Sequence, residues 1–175
     1  AMAAGDIAIS QIGHGAHALC AEGEAVIFQI DCTSLADAVI GNADKGISSI
    51  ADLKGKKVAA TSGTSAEIIL NLALKSAGLT SDDLEIVEMD ANGMVSAMVS
   101  GNVDACATWS PGTVTISEAL GDKTVWLATN QDYINEATFP SSFITTQKYA
   151  DEHHDILVRF SRALQKAADY RNEHI

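Results

Sequence analysis

The sequence has few basic residues and no long apolar run. Its 11 lysine and arginine residues stand against 23 aspartate and glutamate residues, so the formal net charge is -12. This balance gives no positive field for nucleic acid or anionic lipid, and it excludes both as main partners. No segment reaches about 18 uninterrupted apolar residues, which is the length that a membrane-spanning helix needs. No segment resembles a signal peptide either.

Cysteine is also scarce, and its spacing indicates neither a disulfide framework nor a zinc site. Cys106 lies in an apolar run, which predicts a buried and inert thiol. Cys20 and Cys32 could pair only if the fold brings them close together. The neighbouring His153 and His154 would point apart on a helix, so they indicate no metal site. We therefore expect no metal and no cofactor.

The sequence does contain a fraction of apolar residues that is usual for globular proteins. Hydrophobic residues make up 47% of the 175 residues and charged residues 19%, which predicts one large or two small domains. The first five residues look like the last turn of a helix, and a helical pattern still runs at Ile175. We therefore expect both ends to be cut from a longer protein.

One glycine turn is the most informative local feature. A short strand over residues 57–61 leads through Gly63 into a helix over residues 65–77. Thr64 is a good N-cap for this helix, and Glu67 completes a capping box. A helix begun in this way directs free N–H groups and its positive end at whatever lies above the strand. The alternative is that the turn only begins a well-capped crossover helix.

The chain then alternates between strands and helices. Strands are predicted over residues 84–89, 103–108 and 124–128, with helices over 92–100 and 111–120 between them. This alternation predicts a parallel sheet, and ligands of such sheets lie beyond the carboxyl ends of the strands. The segments at those ends are 63–65, 90–93 and 109–111. We expect Ser110 to cap a helix whose first residue is Pro111, while Trp109 is either a flat ligand wall or a core residue.

The flanking regions are less regular, and they contain strands, turns and two last helices. In chain order we predict a strand over 6–10, a glycine-rich turn over 11–15, a helix over 16–21, a strand over 25–30, a polar turn over 31–34, an extended connector over 35–40, a return strand over 141–146, and helices over 147–153 and 155–171. The turn over residues 11–15 repeats the pattern of the Gly63 turn. We place a domain boundary in the polar stretch after the connector.

Several short motifs together resemble one family. They are Gly5-Asp-Ile, Asp52-Leu-Lys-Gly-Lys-Lys-Val, Gly63-Thr, Gly101-Asn-Val-Asp-Ala, Trp109-Ser-Pro and Tyr149-Ala. In this order and spacing the sequence resembles the substrate-binding proteins of ABC importers for nitrate, sulfonates and taurine. The resemblance implies an α/β fold of the type II periplasmic-binding-protein kind, with two lobes that each have a mostly parallel sheet flanked by helices.

The resemblance also implies how the chain is divided. Residues 1–41 would be a partial lobe one that ends in a crossover strand, residues 42–140 a complete lobe two, and residues 141–175 the return strand with helices that pack on lobe one. Exposed edges of a partial lobe invite pairing, so a non-native or swapped dimer is a further expectation.

By the same resemblance the protein would bind a small ligand between its lobes and catalyse nothing. The expected ligand-binding residues are Gly13, His14, Gly15, Thr33, Gly63, Thr64, Ser65, Asp90, Asn92, Trp109, Ser110 and Pro111. Because these loops contain no lysine or arginine, neutral donors such as Thr64, Ser65 and Ser110 would hold an anion such as nitrate or an alkanesulfonate. Asp31 and Asp90 leave room for the amino group of a zwitterion such as taurine, although both suit turns.

The implied setting is transport. The partners would be the ABC permease subunits, and the protein would lie in the periplasm or on the outer face of the membrane, held by a signal peptide or as a lipoprotein. Two alternatives share the fold: a protein that makes the thiamin pyrimidine, and the ligand-sensing domain of a transcription regulator. The sequence contains no DNA-binding segment that would support the regulator.

Overall fold

A computed structural model describes residue 2 and residues 4–174 of the chain. The helices and strands, in chain order, are β1 Ser10–Ile12, α1 Ala18–Ala21, β2 Val26–Thr33, β3 Asp37–Asn42, β4 Lys57–Ala60, α2 Ser65–Ser76, β5 Glu85–Glu88, α3 Ala91–Ser100, β6 Ala105–Trp109, α4 Gly112–Leu120, β7 Thr124–Thr129, β8 Pro140–Thr145, α5 Gln147–Glu152 and α6 His154–Glu173. No helix among the described residues is long and apolar enough to cross a membrane.

The chain forms two compact units. The larger unit contains residues 13–16 and 33–139, and the smaller unit contains residues 1–12, 17–32 and 140–175. This division differs from the predicted boundary at residues 41 and 42. The predicted connector is the strand β3, which pairs with β6 and β7 and therefore belongs to the sheet of the larger unit.

The larger unit is built on a five-stranded sheet with the strand order β5-β4-β6-β3-β7. Strand β4 is parallel to β5 and β6, whereas β3 is antiparallel to both β6 and β7. The four predicted strands β4 to β7 therefore run in one direction, as expected. The strand β3 runs against them, so its first residue lies at the same edge as their last residues.

Apolar side chains on both faces of this sheet pack against helices. On one face Val39 and Val58 pack with Ile69 and Leu70 of α2. On the other face Ile40 and Cys106 pack with Met94 and Met98 of α3 and with Ile116 of α4. Complete burial of such a side chain contributes about 1.5–3 kcal/mol. The sheet is therefore a rigid base for the loops at its edges.

The smaller unit has a three-stranded sheet with the order β1-β8-β2, in which β1 and β8 are antiparallel. The rings of Phe28, Phe143 and Phe160 join the sheet to α6, with centroid separations of 5.4 to 6.4 Å. The strand predicted over residues 6–10 is wrong except for Ser10. Because β1 is defined by its pairing with β8, it extends over Ser10–Ile12.

Candidate functional site

Five loops of the larger unit meet at one edge of its sheet. Strands β4, β5, β6 and β7 end there, and the antiparallel strand β3 begins there with Asp37, which is paired with Trp109. We call this the carboxyl edge, and we call the opposite edge, where β4 to β7 begin, the amino edge. The carboxyl edge of a mostly parallel sheet is the usual place for a ligand.

The centre of the carboxyl edge is a cluster of three polar side chains, which we call the Asp37 cluster: the buried Asp37 and Asn130 and the half-buried Ser65. The Ser65 hydroxyl donates to Asp37 Oδ1 at 2.5 Å, and the Asn130 amide donates to Asp37 Oδ2 at 3.0 Å. In return, Asp37 N–H donates to Asn130 Oδ1 at 2.8 Å. Asp37 is only 2% exposed and Asn130 is 0% exposed. The cluster therefore fixes the position of Ser65, the first residue of α2.

Sequence reasoning found Ser65 but missed Asp37 and Asn130. The one signal for Asp37 was a carboxylate at the start of an apolar strand, where burial of an unpartnered charge would be costly. Asn130 gave no signal, because it lies 93 residues from its partner along the chain.

Thr64 caps the start of α2 as predicted, but the predicted capping box does not form, because Glu67 bonds to Gly63 and not to the N–H of Thr64. Gly63 has a φ of +73°, a conformation that suits glycine. Thr64 Oγ1 accepts from the N–H of Glu67 at 3.4 Å, while the Glu67 carboxylate accepts from the N–H of Gly63 at 2.7 Å. Thr64 also donates its hydroxyl proton to the carbonyl of Thr61 at 2.7 Å.

These bonds change the chemistry expected of the two hydroxyl groups. A hydroxyl has one proton to donate and two lone pairs. In this structure the proton of Thr64 goes to Thr61, and the proton of Ser65 goes to Asp37. Towards a ligand, both hydroxyls are therefore acceptors, and donors at this loop come from the backbone of the first turn of α2. That these residues bind a ligand stays a prediction.

The segment Gly13–Ala16 lies directly against the start of α2. A Cβ atom at Gly15 would be only 2.3 Å from the carbonyl carbon of Thr64, and a Cβ atom at Gly13 would be 3.3 Å from Ser65 Oγ. Only glycine fits at residue 15 without a shift of the backbone. The ring of His14 packs edge-on against Phe139, with 5.0 Å between the ring centroids. The structure thus brings together the two glycine turns that the sequence singled out.

Asp90, Asn92 and Trp109 lie at the same edge, and none of the hydrogen bonds described for this edge joins them to Ser65. Asp90 is exposed and caps α3 by accepting from the N–H of Gly93 at 2.7 Å, and Asn92 is exposed in the first turn. Trp109 is half-buried and packs against the apolar cores on both faces of the sheet. Thr33 is exposed at the end of β2.

The predicted cap of α4 is wrong. Ser110 does not cap the helix, because the helix begins one residue later than expected, at Gly112, with Pro111 in the N-cap position. The first helical bond runs from Thr115 N–H to the carbonyl of Pro111 at 3.1 Å, and Ser110 N–H instead donates to the carbonyl of Ala36 at 3.0 Å. Ser110 therefore ties the end of β6 to the start of β3.

Three thiols and a cavity of the smaller unit are further features of the structure. All three cysteines are free. Burial raises the pKa of the Cys106 thiol to about 12, which agrees with the inert thiol predicted there. A cavity of about 500 Å³ in the smaller unit is lined by Ile7, Leu19 and Ile144 with the polar Ser10 and Glu24. None of the predicted ligand-binding residues lines this cavity.

Comparison with known proteins gives consistent matches. A family model described as NMT1/THI5 like matches residues 22–174. A protein of Brucella abortus (strain 2308), named as a binding protein, is 39% identical over 171 residues, which are 98% of this chain and 53% of that protein. The taurine-binding periplasmic protein of Escherichia coli is 24% identical over 93% of this chain and 50% of that protein. The chain thus spans about half the length of these curated relatives.

Solved structures match the fold. The alkanesulfonate-binding protein SsuA from Xanthomonas axonopodis pv. citri, bound to MOPS, has a TM-score of 0.80 at 22% identity and covers 95% of this chain and 57% of its own. The periplasmic aliphatic sulphonate binding protein of Escherichia coli has a TM-score of 0.72 at 24% identity, over 98% of this chain and 60% of its own. The expected fold of the periplasmic-binding-protein kind is confirmed.

Proposed function

The chain belongs to the NMT1/THI5-like family, and on this premise we propose that it is the solute-binding part of an ABC importer for a small sulfonate or related oxyanion. The names of two relatives support the ligand class: one binds taurine and another, from Bacillus subtilis, is named for aliphatic sulfonates. Nitrate, alkanesulfonates and taurine are the candidates. The relatives reported above are named as binding proteins, which favours a role without catalysis.

The observation that carries this proposal is the apposition of the segment Gly13–Ala16 and the start of α2 at the carboxyl edge. The first N–H groups of a helix have no intrahelical partner, and their dipoles favour the oxygen atoms of an anionic group. Trp109, at the end of the neighbouring strand β6, would supply an apolar wall for a short alkyl chain.

The proposal includes a cellular setting. The Escherichia coli relative is named as periplasmic, so we place this protein in the periplasm or on the outer face of the membrane. Permease subunits would be the protein partners. A lipid anchor belongs to the same proposal.

The first test is thermal unfolding in the presence of nitrate, sulfate, taurine and ethanesulfonate, each compared with sodium chloride at equal ionic strength. A ligand present at one hundred times its Kd adds about 2.7 kcal/mol to the stability. For a chain of this size that corresponds to a rise in Tm of roughly 5–10 °C. A selective rise with one sulfonate or with nitrate is expected, and equal behaviour of all salts would contradict the proposal.

The two tryptophans provide a matched control that locates the bound ligand. Trp109 lies at the carboxyl edge, whereas Trp126 lies within β7 and is 50% exposed. We expect a ligand that raises the Tm to change the emission of Trp126→Phe, which keeps Trp109, and to leave that of Trp109→Phe nearly unchanged. The reverse pattern would place the ligand elsewhere.

The second candidate function is that of a protein that makes the thiamin pyrimidine. The family description, which includes THI5, is the observation that favours testing this second function. A pyrimidine precursor is therefore added to the panel, and its concentration is followed over time. Binding without consumption favours the solute-binding role, and consumption would establish the enzyme.

A further inference from the structure

We propose that Asp37 is a specificity-determining residue, which makes the start of α2 favour a ligand with a positively charged amino group beside its sulfonate. Asp37 would act through Ser65, so it is a positioning residue. This inference rests on the proposed function, because it takes the carboxyl edge as the place where the ligand binds.

The first step is the direction of the bond between Ser65 and Asp37. A carboxylate has no proton to donate, so the 2.5 Å bond takes the only hydroxyl proton of Ser65. The lone pairs of Ser65 Oγ are left for other groups. A group that meets this oxygen must therefore be a donor, as an ammonium group is and a sulfonate is not.

The second step is that the hydroxyl of Ser65 is held in this orientation. Asp37 is fixed from its other side by two hydrogen bonds with Asn130, at 2.8 and 3.0 Å. Asp37 and Asn130 are buried and Ser65 is half-buried, and a Cβ atom at Gly13 would come within 3.3 Å of Ser65 Oγ. Rotation of Ser65 towards an anion would leave a buried carboxylate oxygen without its donor, which is costly.

The third step is the distribution of charge in the larger unit. Its cations, apart from histidine, are Lys45, Lys54, Lys56, Lys57, Lys75 and Lys123. All six lie at the amino edge. Lys45 follows β3, the three lysines over residues 54–57 lie just before or at the start of β4, Lys75 is in the last turn of α2, and Lys123 precedes β7. No lysine or arginine ion pair among the described residues includes Asp37.

The fourth step is that carboxylates of the protein already occupy donors at the carboxyl edge. Glu67 accepts from the N–H of Gly63, and Glu88 accepts from the N–H and the hydroxyl of Ser62 at 2.8–3.2 Å. Asp90 similarly accepts from Gly93. A purely anionic ligand thus meets an edge that contains fixed negative charge and no lysine. A zwitterion meets donors for its sulfonate and acceptors for its ammonium group.

The test compares two ligands that differ in one group: taurine, which has an ammonium group, and ethanesulfonate, which does not. Isothermal titration is carried out on the wild-type chain and on Asp37→Asn. The wild type should prefer taurine, and Asp37→Asn should reduce this preference by about tenfold or more, since a hydrogen bond to a charged group contributes roughly a factor of 10 to 100. Ethanesulfonate should bind Asp37→Asn at least as well as it binds the wild type, because Ser65 can then donate.

Two further variants keep the test decisive. Ser65→Ala leaves Asp37 in place and should reduce the same preference even if Asp37→Asn folds poorly by circular dichroism. Asp52→Asn removes an equal charge at the amino edge and should leave the preference unchanged. An unchanged preference in Asp37→Asn and Ser65→Ala, or an equal loss in Asp52→Asn, would overturn the inference. Binding of neither ligand to the wild type would overturn the proposed function and this inference with it.

Discussion

The two edges of the larger sheet are built from the same strands and helices but differ in their electrostatics. At the amino edge exposed lysines pair with carboxylates, as Lys54 does with Asp83 at 3.3 Å and Lys57 with Glu85 at 3.5 Å. At the carboxyl edge the central group is the buried carboxylate of Asp37, which is held by a hydroxyl and an amide. One edge is a solvated mixture of charges, whereas the other is a fixed polar cluster.

This difference teaches where substitutions should matter. An exposed ion pair contributes only about 0–1 kcal/mol, because solvent screens it and two long side chains must be ordered. A buried hydrogen bond that loses one partner costs about 1–3 kcal/mol, because the other group stays desolvated. We therefore expect the carboxyl edge to be sensitive in both stability and binding, and the amino edge to be tolerant except where it is tightly packed.

The largest expected effect is that of Gly15→Ala on ligand binding. The new Cβ would meet the backbone of Thr64 at 2.3 Å, so the segment Gly13–Ala16 must move away from α2. Strain of about 1–3 kcal/mol corresponds to a loss of roughly tenfold to a hundredfold in affinity. Titration with whichever ligand raises the Tm measures this loss.

Gly41→Ala is the matched control at the other end of the unit. Gly41 lies near the end of β3 towards the amino edge, and its Cβ would come within 2.5 Å of Ile47 Cγ2. The substitution should lower the free energy of unfolding by about 1–3 kcal/mol through overpacking, while the folded fraction keeps its affinity. If Gly15→Ala bound ligand as well as Gly41→Ala does, the carboxyl edge would not be the binding site.

The next effect is on stability, and Asn130→Ala tests it. The substitution removes an amide donor from Asp37 Oδ2 and the acceptor of Asp37 N–H, so we expect a loss of about 1–3 kcal/mol in urea unfolding. Asn102→Ala is the control, because Asn102 is exposed between α3 and β6 at the amino edge. Its effect should stay within about 0.5 kcal/mol. Equal effects of the two substitutions would contradict the contrast between the edges.

The sequence was sufficient to predict the alternating part of the larger unit. The helices α2 and α3 and the strands β4 to β7 have local signals: Thr64 as a cap, Gly101 as a stop, and apolar runs of strand length. Such signals involve neighbours a few residues apart, so they survive without knowledge of the fold. The glycine turns at Gly13–Gly15 and Gly63 were found in the same way.

The centre of the site could not be predicted, because it depends on pairing between distant parts of the chain. Asp37 and Asn130 meet only when β3 is inserted between β6 and β7. The sequence suggested an extended segment over residues 35–40 but not its neighbours, so β3 was predicted as a connector. The same limitation explains β1, whose extent is defined by β8 more than a hundred residues later.

The smallest expected effect concerns Asp52, which lies at the amino edge before β4. Hydrogen bonds from the hydroxyls and backbone N–H groups of Ser48 and Ser49 lower the pKa of its carboxyl to about 2. Because this value is below that of the unfolded chain, the stabilisation is present above about pH 4 and is lost as the pH falls towards 2. Thermal unfolding of wild type and Asp52→Asn should therefore show a higher Tm for wild type at pH 7 and converging values near pH 2. A difference that stays constant over this range would show that the carboxylate charge contributes nothing there.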